Sequence, residues 1–571
     1  MPVFFDGRLW ISPATMSVVD DSAMYNRNLS VGNIVAYIGR SEGGEPKTAL
    51  RFGSPNEAKE TLRSGALLEA VLKAFDPSSE TGGPATVVAL RVNPATQSSL
   101  MLQDVSTNAV IQLQSTDYGL YTNQIRVKIE SGTNTGLKLT SQLGNDFYSA
   151  DDVARNAFSI QYSGGQASAA MTISDTQVIL QAPTGTDVAT IELSSFPTVQ
   201  QLVDRINAQD GFTASVLDGN GEKATLAALD HVTNQDVMTA LYTATANLQA
   251  AVDWFNGTGE GFVTATRQAG GGEPPAVIPF TYLASGSDGT VANSDWSDCY
   301  TVLQSEDVQW VVPLSSDPAI HAMNDSHCQF MSDVGRMERR GIVGPASGTT
   351  DDEAVAAAKA LNSDRTSLTH LGYYDFNVSG NLVLFEPYMM AALLAGAFSG
   401  VNPGTSLTNK SIKIRGIERK LRNPTDTDPL ILGGVLPVEE TNTGFKVVQS
   451  ITTWLNNDNY NRVEVSVGTA LDFVARNVRN AVDPLRGAKG TPAVLGQAVS
   501  RTDTALLELA RPEPIGPGVL AGDADNPPYR NITADLQGDV LRIQFQCSPV
   551  IPVNYIPVTI FAVPFSGSAS L

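Results

Sequence analysis

The first hydrophobic positions in the chain repeat with a period of two. In residues 3–11, Val3, Phe5, Leu9 and Ile11 fall on one face of an extended strand, Phe4, Asp6, Arg8 and Trp10 fall on the other, and Pro13 ends the run. Residues 20–30 are polar and turn-like, so this strand has no hairpin partner close by and is expected to pair with something distant. Residues 34–39 read as a buried strand. Residues 56–75 read as an amphipathic helix carrying Leu62, Leu67, Leu68, Val71 and Leu72, and residues 85–92 as a second buried strand. Together they predict a βαβ unit.

From residue 95 to 279 the texture changes to β-type segments such as 110–114 and 124–130, separated by Thr, Ser, Gly and Asn. This predicts an inserted β-rich domain, in which two helical segments, 197–207 and one ending near Phe255, leave open whether there are one or two small subdomains. Residues 270–275, Gly-Gly-Gly-Glu-Pro-Pro, read as a linker or exposed turn. Strands and helices then alternate as an α/β layer over 280–440. A strand is expected at 308–313, a helix at 319–339, a strand end at 341–345 and an Ala-rich helix at 351–361. Beyond it, 445–454 and 460–467 read as strands. Residues 469–482 form a helix striped by Leu471, Val474, Val478 and Ala481, and 493–510 a second one striped by Val494, Ala498, Leu506 and Leu509.

The end of the chain returns to period two. Leu541, Ile543, Phe545 and Cys547 alternate with Arg542, Gln544 and Gln546, as in a half-buried antiparallel strand. Residues 556–563, with Val558, Ile560 and Val563, are apolar on both faces and bracketed by Pro557 and Pro564, which confines them to a sheet edge or a strand start. The expected organisation is an extended arm (1–30), the βαβ segment joining the core (31–94), the insertion (95–279), the α/β domain (280–440), an α+β carboxyl-terminal domain (441–555) and a second arm (556–571). The fold class is α+β multidomain.

Composition removes several functions. A net charge of −22 lacks the excess of Lys and Arg that neutralising phosphates requires, which argues against direct nucleic-acid binding. Residues 441–571 carry 10 basic and 11 acidic side chains, so the first 440 hold 27 of the 37 basic and 48 of the 59 acidic residues. The carboxyl-terminal part is thus nearly neutral and suited to a different environment. No apolar run approaches the ~20 residues of a membrane span, and the first residues lack signal-peptide character, so no membrane insertion is expected and synthesis in a cytoplasm is. Cys299, Cys328 and Cys547 are scattered and read as small buried hydrophobes.

Candidate chemistry is sparse. His321 and His327 are six apart, which places them on different helix faces rather than at metal-pair spacing, and no Gly-rich phosphate loop occurs; no metal or cofactor is expected. Gly404, Thr405 and Ser406 repeat a string found at the nucleophile of subtilisin-type proteases, with Asp307 and His321 upstream in that order. The following residues lead into the strand-like Ile412, Ile414 and Ile417 rather than a helix, so Ser406 is read as part of a polar loop. Lys410, Lys413, Arg415, Arg419, Lys420 and Arg422 make a basic segment, read first as a solvated strand face and alternatively as a contact to an acidic neighbouring copy. Arg476, Arg479, Arg486 and Lys489 invite the same two readings, solvated charge or an acidic partner.

Several stretches carry more than pattern. Tyr282-Leu-Ala-Ser-Gly-Ser-Asp-Gly-Thr290, Trp296, Asp307-Val-Gln-Trp-Val-Val-Pro313, Asn362-Ser-Asp-Arg365, the small-residue helix 387–396, Leu407-Thr-Asn-Lys410 and the strand around Val447 to Trp454 occur in an order that resembles the sheath subunit of contractile bacteriophage tails. The stretch 116–127, with Gly119 and Asn123, resembles the β-sandwich insertion of that family, with Tyr121 where Trp is more usual. The resemblance is thinnest over 140–277. It implies a subtilisin-like central domain without catalytic residues and therefore no enzyme. It also implies a virion subunit, made in the bacterial host cytoplasm, that stacks with itself as six-fold rings around a tail tube and contracts to drive the tube into a cell envelope. Implied partners are further copies, the tube protein, and baseplate and tail terminator proteins. The arm strands at Val3, Phe5, Leu9 and Ile11 and at Val558, Ile560 and Val563 become candidates for strand exchange between copies. Arg476, Arg479, Arg486 and Lys489 become candidates for the tube-facing surface. A tailocin or secretion-machine sheath and a subtilisin-like hydrolase are the alternatives.

Overall fold

The computed structural model describes residues 3–5, 8–10, 34–257, 260–563 and 567. Its centre is a six-stranded sheet in the order Thr366–Leu368, Arg340–Val343, Trp310–Pro313, Ile34–Gly39, Thr86–Arg91, Ala49–Phe52. The first five strands are parallel and the last pairs antiparallel to its neighbour. The five parallel strands are buried on both faces, as a parallel sheet covered by helices requires, whereas the edge strand Ala49–Phe52 exposes Arg51. Val35, Tyr37, Val87, Ala89 and Val312 pack toward the helices Ala66–Ala74 and Pro387–Ser399. Ala36, Ile38, Val88, Leu90 and Val311 pack toward the helices Asn293–Leu303 and Pro318–Asp333.

Small residues let the layers approach. A Cβ on Gly396 would lie 2.9 Å from the Cα of Ala74, so helix Pro387–Ser399 needs glycine where it crosses helix Ala66–Ala74. The buried Tyr37 hydroxyl donates to the carbonyl of Ala392 at 2.8 Å, satisfying the one polar atom it brings into the core.

The chain leaves this sheet after Arg91 and returns near Asp288. The fully buried Arg91 guanidinium holds the crossing, donating to the carbonyls of Gly44 (2.8 Å) and Tyr118 (2.9 Å) and to Asp288 (3.1 Å). Between the two crossings lie two separate hydrophobic cores. One joins strands Ser99–Gln103, Ala109–Ser115, Arg126–Ser131, Leu137–Leu143 and Val263–Arg267 around helix Asn247–Phe255. The other joins strands Asn156–Tyr162, Ala170–Ile173, Gln177–Gln181 and Phe212–Val216 around helix Val199–Asn207.

Several expectations need correcting. The helix expected over 56–75 is two, Pro55–Leu62 and Ala66–Ala74, because Arg63 (φ 61°) and Gly65 (φ 103°) leave the helical region between them. The expected linker at 270–275 is a packed joint. Gly271 and Gly272 are buried, and the Gly272 carbonyl accepts from the His231 amide at 2.7 Å. Residues 460–467, read as a strand, are helical, in Tyr460–Val463 and the start of Val465–Val482. Val463, Val465 and Val467 alternate, but Val465, Ser466, Val467 and Gly468 are all buried, so the alternation reflects a helix start enclosed on every side. The strand expected over 445–454 stops at Val447. Beyond it the Thr452 and Thr453 hydroxyls donate to the carbonyls of Arg462 and Ser363. The helix expected to reach Arg339 ends at Asp333.

Candidate functional site

Helices Val465–Val482 and Pro492–Ala510 share a core of Ala470, Phe473, Val474, Val478, Leu506 and Leu509. The expected stripe holds at Val474 and Val478, while Ala470 and Phe473 are buried and Leu471 and Ala481 only half-buried. On this pair rests a hairpin of Tyr529–Gln537 and Val540–Cys547, in register from Tyr529↔Cys547 to Gln537↔Val540. Tyr529, Ile532, Phe545 and Cys547 pack against the helical core, while Arg542, Gln544 and Gln546 face solvent. The first strand of this hairpin escaped the sequence reading, because a register shift between Arg530 and Thr533 breaks its alternation. The signal for it was the two-residue Gly538-Asp539 loop, with Gly538 at φ 64°.

Among the described residues no third strand pairs with either edge of this hairpin. Two free edges present rows of unpaired amides and carbonyls, a template for added strands. The last described stretch of the chain offers such strands. Ile556, Val558, Ile560, Phe561 and Val563 are 74–85% exposed and form no strand within the chain. The sequence expectation of a strand over 556–563 is therefore not met in the isolated chain, since an extended segment needs a partner to complete its ladder.

At the other end, Val3–Phe5 pairs antiparallel with Arg8–Trp10, in the register Val3↔Trp10, Phe4↔Leu9 and Phe5↔Arg8. This corrects the single strand expected over 3–11. The intervening Asp6-Gly7 is a sequence pair favoured in two-residue hairpin loops. Ile11 lies outside the described residues.

The basic candidates divide. Arg476 is only 7% exposed and is bound inward, to Asp307 at 2.7 Å and to the Glu338 carbonyl at 2.8 Å. Arg479 pairs with the Glu338 carboxylate and donates to the Arg336 carbonyl at 2.8 Å. These two therefore dock the carboxyl-terminal helix onto the α/β core rather than forming an outward basic surface. Arg486 is exposed and pairs with Asp483, and Lys489 is exposed. Beside this seam, Asp472 receives Arg340 Nε at 3.0 Å and Arg365 Nη1 at 2.8 Å. Burial alone raises the Asp472 carboxyl, but the two guanidiniums outweigh it and hold it below the usual carboxylate range. The six residues of the basic segment also meet acids of their own chain. Lys410 pairs with Glu80, Lys413 with Asp76, Arg415 with Asp375, Arg419 with Asp351, Lys420 with Glu440 and Arg422 with Asp426. The basic side chains remain exposed in these pairs, so the segment is a solvated face whose charges are met by acids of its own chain.

The protease-like residues do not assemble. The Ser406 hydroxyl is 2.9 Å from those of Thr408 and Ser450, His321 Nε2 is 2.8 Å from the Ser315 carbonyl, and Asp307 is engaged by Arg476. Burial lowers the His321 pKa, and burial together with Arg339 pushes His327 down to about 3, so both imidazoles are neutral structural groups. Among the described residues no group of three or more His, Cys, Asp or Glu is placed to hold a metal ion, and no helix is long and apolar enough to cross a membrane.

No family model matches the chain. Similar proteins extend along its whole length. It is 27% identical over 586 residues to the tail sheath protein of Bacillus phage SP01, covering 99% of this chain and 98% of that one. It is 28% identical over 568 residues to the putative tail sheath protein of Enterococcus phage phiEF24C, covering 96% of each. The solved sheath tail protein from Desulfitobacterium hafniense shares the fold, at TM-score 0.54 and 13% identity, over 94% of this chain and 96% of that one. This mixed α+β chain with several sheets is thus similar from end to end to tail sheath proteins of bacteriophages.

Proposed function

We propose that this chain is the repeating subunit of a contractile tail sheath. Its copies stack as six-membered rings around a tail tube, meet baseplate and terminator proteins at the two ends, and shorten to drive the tube through a host envelope. The observation that carries the reading is the pairing of unmet needs at the carboxyl terminus. A hairpin with two free edges sits in the same chain as a tail of exposed apolar residues that forms no strand of its own. Adding the tail of one copy to the hairpin of another satisfies both, by backbone hydrogen bonds with alternate side chains setting register. In this reading Val558, Ile560 and Val563, and at the other end Val3, Phe5, Leu9 and Ile11, are the exchanged strands. With Arg476 and Arg479 bound inward, Arg486 and Lys489 remain as the tube-facing candidates. The five parallel strands with helices on both faces are read as a subtilisin-like topology whose Ser406, His321 and Asp307 serve structure only.

A sheath has to stay linked while its subunits rotate. Joints made by arms at both ends of each body allow this, because each joint is modest while the lattice multiplies them. Negative-stain microscopy of the purified full chain should reveal cylinders or ring stacks, and a chain lacking residues 1–20 should remain a soluble monomer. Long cylinders from the truncated chain would remove the amino-terminal arm from the mechanism.

A further inference from the structure

Helix Val465–Val482 begins at Glu464, whose carboxyl makes no bond to the helix end that it precedes. A glutamate there ordinarily profits, as an anion, from the helix dipole. This one is turned inward and is 1% exposed. Its Oε1 accepts from Gln449 Nε2 at 2.9 Å and from Asn554 Nδ2 at 2.6 Å. Two atoms of this group are left without partners: Oε2 of Glu464 and Oδ1 of Asn554, both buried. They belong to the two side chains already joined by the Asn554–Glu464 bond. As an ionised carboxylate Glu464 offers acceptors only, so both oxygens would stay bare at the cost of burying unpaired polar atoms. A proton on Oε2 makes it a donor to Asn554 Oδ1 and closes an acid–amide ring of two hydrogen bonds.

Asn554 occupies a special place in the chain. It is half-buried, whereas Tyr555 and each described residue after it is exposed, so the tail leaves the body here. We propose that Glu464 retains its proton and clasps Asn554, fixing the point from which the carboxyl-terminal arm departs. The clasp stands on the geometry of one chain; its value for strand exchange rests on the function proposed above.

The surroundings agree. Burial raises the carboxyl above its ordinary 4.5, against the smaller opposing pull of the Gln449 and Asn554 hydrogen bonds. The groups that touch the carboxyl are neutral. Arg462, two residues earlier, is directed to Asp364 at 3.2 Å, and the acid in the cavity that Gln449 and Asn554 line is Asp428, beside Thr408, Asn423 and Tyr555. The sign follows from a pKa raised in the folded state. The clasp's stabilisation is complete below about 4.5, the ordinary carboxyl value, and is lost as pH rises through the elevated one.

Glu464→Gln supplies a neutral amide that keeps the Oε1 acceptor and can donate to Asn554 Oδ1 at every pH. Denaturant unfolding of the full chain should find this variant equal to the parent at acid pH and increasingly more stable as pH rises, by roughly tenfold in the unfolding constant, the size of one buried hydrogen bond. Asn554→Ala, on the tail and outside every core, should weaken the parent at acid pH by the loss of both ring bonds, whereas once Glu464 ionises only the bond from Asn554 Nδ2 to Oε1 is left to lose. A Glu464→Gln chain whose deficit against the parent stays constant or grows as pH rises would mean that folding does not favour the protonated carboxyl, and would overturn the clasp. Microscopy of Asn554→Ala separates the two readings. Intact cylinders with the expected pH profile keep the clasp and remove its role in assembly, whereas shortened or absent cylinders support both.

Discussion

A chain ended after Asn554 is expected to fold as the parent does and to form no cylinders. The removed segment includes Ile556, Val558, Ile560, Phe561 and Val563, which are almost wholly in solvent and belong to none of the hydrophobic cores. Their loss removes no buried contact of the monomer, so the melting transition should shift by no more than surface changes do, ~0.5 kcal/mol in stability. Between copies their weight is different. A five-pair strand joint gains about 1 kcal/mol net per hydrogen bond. Each Ile, Val or Phe that it covers adds ~1.5–3 kcal/mol, against ordering costs of ~1–2 kcal/mol per residue. A single joint is therefore marginal, and a lattice that repeats it is not. Thermal melting and negative-stain microscopy of the same preparation check both halves. Cylinders of normal length from the shortened chain would show that the tail is no joint.

The parts of this molecule that were legible in its sequence are those whose partners lie close by or whose burial is complete. Residues 34–39, 86–91 and 310–313 are continuous apolar runs, and a strand covered on both faces has no other pattern to offer. The first two were legible as one βαβ unit, but that 310–313 lies beside 34–39 was not, because two further cores are built between residue 91 and residue 310. Arg476 was misplaced for the same reason. On a helical wheel it belongs to the polar side, yet its partner Asp307 is 169 positions away and draws it into the core seam. The candidate joint was half legible. The strand Val540–Cys547 alternates cleanly, while its partner Tyr529–Gln537 is disguised by a register shift. The exposed tail declared itself by being apolar on both faces, a composition that no solvated coil requires.

Asp472→Asn is expected to loosen the attachment of the carboxyl-terminal helices to the α/β core by ~3–5 kcal/mol, the usual result of removing one member of a buried ion cluster. Asp472 is the carboxylate that pairs with both Arg340, which opens the strand Arg340–Val343, and Arg365, which immediately precedes the neighbouring strand Thr366–Leu368. Without its charge the two guanidiniums face each other with little water to screen them. Arg340 cannot retreat, because it lies against the helix backbone where a Cβ on Gly468 would be 2.1 Å from its Nη2. Replacing all three residues by apolar ones, as in Arg340→Met, Arg365→Leu and Asp472→Leu, should recover most of the loss, since no unpaired charge then remains. The acid limb of the stability curve supplies a second check. The Asp472 carboxyl is held below its ordinary 3.8, so its contribution is present above that pH and is lost as the pH falls through the lower folded value. The parent should therefore lose stability below pH 3.8 more steeply than Asp472→Asn. Parallel curves would place the strength of the seam elsewhere, in Arg476, Arg479 and Glu338. The consequence reaches assembly, because the proposed joints act on the hairpin carried by these helices. A body that lets its carboxyl-terminal helices swing cannot pass the rotation of one ring to the next, so Asp472→Asn should give cylinders that are short and irregular under the microscope even where the arms are intact.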